Sequence, residues 1–354
     1  MLVFAEHAGF LRETFGGLGV DTFFFLSGYL ITTLLRVEYD TTGSVSIWRF
    51  LLRRALRVLP PLYVVALACA AATLLFEPPG TLHTPTLVSQ LLLYFNYYSL
   101  HGPYRGVPGL SVVWSLAIEE HFYLLFPILY LAIQPVLSRR RQAWLLWGLC
   151  AAILTWRLLL VLGMHADVRR IHPTTDTRMD SILFGCALAI WCSQWLPGRS
   201  HLNPAVLPAQ WRYGYLPAAV VALLICVMVK DPIFQMTLSF SIQGAALGVI
   251  FVAAIKFHDA EPFQFLNTRP VVFIGTISYS LYLVHDVLLD AVIRLYPSAH
   301  AWQRASIALA LSLMASMLIY VAIEKPSGAL RRKLKAPALP KGPTLPAGSS
   351  VAGA

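Results

Sequence analysis

Charge is scarce in this chain of 354 residues: 12% of its positions are Asp, Glu, Lys or Arg, against roughly 25% in a soluble domain. That shortage excludes a domain solvated by water on all sides. There is no CxxC pair. Cys69, Cys150, Cys186, Cys192 and Cys226 all fall in apolar stretches and read as small buried hydrophobes, not as metal ligands or disulfide partners. No repeat of ~20–50 residues is present, which excludes a solenoid. No basic region precedes the first apolar stretch, MLVFAEHAGF, so no cleavable signal peptide is expected. No fused soluble domain is expected either.

What the chain has instead is hydrocarbon. It is 57% hydrophobic with a mean hydropathy of +0.65, and many segments approach the ~20 apolar residues that cross a bilayer. The expectation is an all-α, polytopic transmembrane helical bundle. Helices near 1–12 (incomplete), 18–36, 57–77, 112–134, 143–164, 177–196, 214–230, 235–257, 271–295 and 303–324 give about ten spans. The net charge is +10. Nucleic-acid binding is one reading of basic runs, but Arg53–Arg54, Arg139–Arg141 and Arg331–Lys335 each flank an apolar span. The positive-inside rule accounts for them without a nucleic-acid partner. It makes the basic loop 36–57 and both termini cytoplasmic, and only Arg169 and Arg170 run against it. Agreement requires an even number of crossings between Arg57 and Arg139, so 84–100, which carries Gln90 and Asn96, is read as re-entrant or partly inserted. Residues 1–326 form the membrane domain. Residues 327–354 are basic, then Pro/Gly/Ser-rich, and are expected to be a disordered tail.

Ionisable residues inside the spans are candidates for function, because each costs roughly 2.5–3.5 kcal/mol at mid-bilayer. By this topology Glu119, Glu120 and His121 lie in the outer half of one helix, Arg178 and Asp180 at the outer end of another, and His285 and Asp286 in the outer half of a third. His7 lies near the outer end of the first. Ser115, Glu119 and Tyr123 are four apart and share a helix face. Structural readings compete: Arg178 with Asp180 or a glutamate as a buried ion pair, and His285 as a hydrogen-bonded interior histidine. Ser27 reads as a helix-packing residue, since it lacks the strand–turn–helix setting of a nucleophile elbow. A transporter and an enzyme both remain open at this point.

Six stretches taken in order resolve this: GVDTFFFLSGYLIT (19–32), RRALRVLP (53–60), VVWSLAIEEHFYLLFP (112–127), TDTRMDSILFG (175–185), ISYSLYLVH (277–285) and IEKP (323–326). Together they resemble the membrane-bound acyltransferase 3 family. The resemblance implies an integral protein of the bacterial inner membrane that moves an acyl group, acetyl by default, from acyl-CoA to a hydroxyl. The acceptor would be a sugar, a glycan or a glycosylated or macrolide small molecule. It implies no bound cofactor and no metal. It makes His7 the catalytic residue and Arg54 and Arg57 the acyl-CoA-binding pair. Guanidinium suits phosphate, and imidazole suits proton transfer near neutral pH. Glu119 is then expected to orient His7, with Glu120, Arg178, Asp180, His285, Trp114 and Ser27 as a supporting polar cluster. Arg178, His285 or Ser27 would supply an oxyanion donor. A transient acyl-His is the alternative to direct transfer. The family's arginine about ten residues before the histidine would fall ahead of Met1, so the first helix reads as truncated. The rival functions are a secondary transporter or flippase, and an inactive truncated homologue.

Overall fold

The computed structural model describes residues 1–101, 107, 109–192 and 206–334, and these contain no strand. The chain opens with α1 (Leu2–His7), α2 (Glu13–Thr42) and α3 (Ile47–Phe76), then the short α4 (Thr84–Leu91) and α5 (Phe95–Tyr98). Next come α6 (Val113–Ile133) and α7 (Arg139–Leu158), the latter extended by a π-helical turn to Gly163. The short α8 (Val168–Ile171) leads into α9 (Thr175–Trp191). The remaining helices are α10 (Leu216–Met228), α11 (Pro232–Met236), α12 (Leu238–Lys256), α13 (Arg269–Leu295), α14 (Ala301–Ile319) and α15 (Lys325–Lys333).

Eight helices among the described residues are long and apolar enough to cross a membrane. Of the other two expected spans, α9 has 17 residues and is buried along almost its whole length, and α1 is a six-residue half-helix. The 84–100 segment is broken between α4 and α5, where Leu93 takes a left-handed φ of 57°. Its buried amide nitrogens find partners inside the protein: Gln90 Nε2 donates to the Leu110 carbonyl (3.1 Å) and Asn96 Nδ2 to Thr175 Oγ1 (2.9 Å).

The 36–57 stretch is a correction to the sequence reading. Only Gly43–Ser46 separates α2 from α3, so Arg53, Arg54 and Arg57 ride on the first turns of a long helix and not on a loop. Gly43 ends α2 in the left-handed conformation (φ 75°), and the Ser46 hydroxyl caps α3 by accepting from Arg49 N. Residues 327–333, expected within the tail, continue the helix α15. The tail expected from Ala336 lies outside the described residues.

Two cores meet on α6. One joins Phe24 and Phe25 of α2 to Phe122 and Phe126 of α6 and to Ile182 and Cys186 of α9. The other joins Leu62 and Ala66 of α3 to Leu116 and Ala117 of α6 and to Leu283 of α13. Where α2 crosses α9, Gly28 lies against the Ile182 carbonyl and Gly185 against the Phe25 carbonyl, with no room for a Cβ on either. Lipid offers helices no hydrophobic drive to associate, so such backbone-on-backbone contact is how they gain dispersion energy. All five cysteines are free and buried.

The two ends of the bundle differ. At the basic end, Arg53 pairs with Glu38 and Arg139 with Asp40, both at 2.9 Å, and Arg53 Nη1 also donates to the Leu334 carbonyl (3.2 Å), tying α15 to α3. At the other end, Arg294 of α13 pairs with Glu77 just beyond α3, and Arg170 with Asp176.

Candidate active site

His7 closes α1 and is partly exposed. Its imidazole sits between two carboxylates: Nδ1 is 3.1 Å from Asp286 Oδ1 and Nε2 is 3.2 Å from Glu6 Oε2. The ring is stacked on His285 at 5.1 Å between centroids, with 20° between planes. Asp286 is held in turn by the Ser111 hydroxyl, which donates to Oδ2 at 3.1 Å. His285 Nδ1 lies 2.7 Å from the Tyr282 carbonyl. A carbonyl can only accept, so Nδ1 carries the proton and Nε2 is a buried acceptor with no hydrogen-bond partner.

Glu6, His7 and Ser111 edge a cavity of 320 Å³ whose wall also includes Trp114, Arg169, His172 and Tyr282. Gly16 of α2 also lines it, and a Cβ there would stand 2.7 Å from Glu6 Oε2. The glycine therefore makes room for the carboxylate that faces His7. Trp114 packs on His172 at 4.8 Å.

Of the residues expected around His7, the structure stacks His285 on its ring and sets Trp114 in the wall of this cavity, and sends the others elsewhere. Asp286, on the same helix as His285, takes the place expected for Glu119. Glu119 is buried on α6 among the Ser27 and Tyr123 hydroxyls and Arg54. Ser27 Oγ and Tyr123 OH are 2.6 Å apart, and the Arg54 guanidinium lies 5.2 Å from the Tyr123 ring centre. Glu120 also faces Arg54. Glu119 Oε1 and Glu120 Oε1 have no hydrogen-bond partner. The face Ser115–Glu119–Tyr123 thus forms a polar seam. It begins at the cavity, where Ser115 Oγ meets Tyr282 OH at 2.7 Å, and runs towards the arginines of α3.

Arg178 and Asp180 are ion-paired, but not with each other. Arg178 Nη2 bonds Asp21 Oδ1 at 2.6 Å and the guanidinium lies on Phe240, 3.8 Å from its ring centre. Asp180 takes both arms of Arg157, each at 2.7 Å, with both side chains wholly buried. The pair Arg157–Asp180 ties α7 to α9, and Arg178–Asp21 ties α9 to α2. Arg178 reaches the cavity only indirectly, through Trp114 at 5.9 Å. Sequence reasoning overlooked Asp21 and Arg157 as partners and assigned Asp286 no role. The signal was available: each buried charge requires an opposite charge, and Asp21 and Arg157 were ionisable residues inside spans without an assigned partner. Among the described residues no group of three His, Cys, Asp or Glu side chains is placed to hold a metal ion.

The site and the fold together define a polytopic helical membrane protein, with a histidine–carboxylate cluster at one end of the bundle and arginines at the other. The chain belongs to the acyltransferase 3 family, whose profile, described as an acyltransferase domain, matches residues 1–323. Its curated relatives include a Staphylococcus aureus (strain COL) protein provisionally named an O-acetyltransferase. That protein is 31% identical over 296 residues, covering 79% of this chain and 47% of the relative. Another is O-acetyltransferase OatA of Staphylococcus aureus (strain NCTC 8325 / PS 47), 32% identical over 287 residues, covering 76% of this chain and 45% of the relative. The chain thus spans about half the length of the curated relatives it matches. No solved structure matches it.

Proposed function

We propose that the chain is an integral-membrane O-acyltransferase that moves an acyl group, acetyl by default, from acyl-CoA to a hydroxyl of a carbohydrate or a glycosylated or macrolide acceptor. The observation that carries this reading is His7, set between Glu6 and Asp286 on the wall of a 320 Å³ cavity. Asp286, fixed by Ser111, orients Nδ1 and steadies the charge that the ring acquires on taking a proton. The acceptor hydroxyl enters from the cavity and displaces Glu6 from Nε2. His7 then removes the hydroxyl proton as the oxygen attacks the thioester carbonyl. The tetrahedral intermediate collapses by breaking the C–S bond, and the leaving thiolate takes the proton from His7 to give CoA.

His285 is a poor oxyanion donor in this reading, since its Nε2 bears no hydrogen. It serves as the surface on which His7 stacks. The positive-inside rule puts the basic end in the cytoplasm, where acyl-CoA is found. The α6 seam leads from there to the cavity, and the free oxygens of Glu119 and Glu120 are acceptors for the amide N–H groups of pantetheine. A proton-coupled transporter would also use such a seam. Purified protein with radiolabelled acetyl-CoA and a panel of glycan acceptors separates the two. Transfer is expected from the wild type and should fall by roughly 10²–10⁴-fold in His7→Ala. Unimpaired transfer by His7→Ala would remove the histidine from the mechanism.

A further inference from the structure

The cations at the basic end are gathered around one concavity. Arg57 of α3 and Lys325, Arg331 and Arg332 of α15 line a cavity of 350 Å³, together with Thr276 of α13 and Glu324. Glu324 is the one carboxylate in that lining, and the Ser280 hydroxyl donates to it. None of the four cations forms a side-chain ion pair or hydrogen bond with another described residue. Arg53 nearby contrasts with them, being held by Glu38 and the Leu334 carbonyl.

Flanking a membrane span requires only that cations lie near the headgroups, and mutual repulsion would splay them apart. Here the backbone draws them together. A π-helical turn, Tyr320–Glu324, joins α14 to α15, so that the helix runs on from the span to the basic end. The bond from Arg53 to Leu334 fastens its far end to α3. Gly328 is buried in the same turn of helix, and Arg331 Nη2 folds back over it. The result is a cavity large enough for a polar ligand, with four cations facing a single carboxylate.

We propose that this cavity is a clasp for phosphate groups. Such groups occur in the nucleotide part of CoA and in anionic phospholipid headgroups. Guanidinium groups bind phosphate oxygens in pairs, and a lysine adds a point charge. Arg54, the other arginine expected to hold CoA, is turned into the bundle towards Glu119 and Glu120. Arg57 is therefore the member of that pair that meets the clasp, and α15 supplies the remaining charge. Assignment of the clasp to CoA rests on the acyltransferase reading, while the phosphate chemistry rests on the cavity alone.

The test uses the purified chain in nanodiscs. CoA affinity is measured in phosphatidylcholine discs, and retention of phosphatidylglycerol from mixed discs is measured by native mass spectrometry. Wild type is compared with the double variants Arg331→Ala/Arg332→Ala and Arg331→Lys/Arg332→Lys. The alanine pair should weaken CoA binding by about tenfold or more, while the lysine pair, which keeps the charge but gives up the paired N–H donors, should lose less than the alanine pair and reports on folding. Loss of retained phosphatidylglycerol with CoA binding intact would identify the lipid headgroup as the phosphate source. If the alanine pair changes neither, the clasp is overturned. If CoA binding depends on the clasp but the wild type transfers no acyl group to any acceptor, the acyltransferase reading fails and the clasp stands. If transfer proceeds with an unchanged KM for acetyl-CoA in the alanine pair, the assignment to the nucleotide fails and the acyltransferase reading stands.

Discussion

His7 and Glu119 were expected as partners, and the structure gives each its own. Asp286 flanks His7, so Asp286→Asn should lower kcat for acyl transfer by roughly 10²-fold with little change in either KM, as removal of an orienting carboxylate does. Glu119→Gln should act on the donor side instead, raising the KM for acetyl-CoA more than it lowers kcat. Steady-state kinetics on both variants checks the division, and equal kcat losses in the two would contradict it. The depth of these groups was legible in the sequence, because hydropathy and charge bias place each residue along its helix. The pairing was not, because depth leaves the rotation of α6 and α13 about their own axes undetermined. Ser115, Glu119 and Tyr123 do share a face, as their spacing required, but that face meets the cavity wall only where Ser115 bonds Tyr282. Asp286 follows His285 directly, and helix geometry turns it about 100° away, a difference that decides which of the two meets the imidazole edge and which its plane.

At the scale of the helix, the charges of α9 act as fasteners. Arg157–Asp180 is wholly buried, so Asp180→Asn should leave an uncompensated arginine between α7 and α9 and cost about 3–5 kcal/mol. Unfolding in detergent or bicelles, followed by denaturant titration, would measure it, and a cost below 1 kcal/mol would mean that water reaches the pair. The α2–α9 crossing is vulnerable in a different way. Gly185→Leu would press a side chain into the Phe25 carbonyl and part the two helices, so that unfolding shifts to lower denaturant and transfer is lost together. A run of apolar letters announced both helices. Nothing in it announced that α2 would extend through Thr42 and α3 begin at Ile47, because only the short Gly43–Ser46 connection breaks what could have been a loop of any length. The halting of 84–100 into two short helices was foreshadowed by Gln90 and Asn96, whose amides need partners that lipid cannot supply.

Over the whole molecule, chemistry is split between the ends of the bundle, with the histidine cavity at one and the cation-lined cavity at the other. The α6 seam runs between them. Composition alone identified the class of molecule, since the apolar content and the sparse charge leave room for little else. The α14–α15 helix carries a π-helical turn at Tyr320–Glu324 where it reaches the basic end, and no local propensity in YVAIE marks it. The burial of every cysteine has a practical consequence for this two-ended arrangement. A membrane-impermeant maleimide should find almost no native thiol to modify, so single cysteines placed at exposed Ser44 and Ser298 would report sidedness in intact cells without first preparing a cysteine-free protein. Ser298→Cys should label from outside and Ser44→Cys only after the cells are opened, and the reverse pattern would turn the whole assignment of donor and acceptor faces upside down.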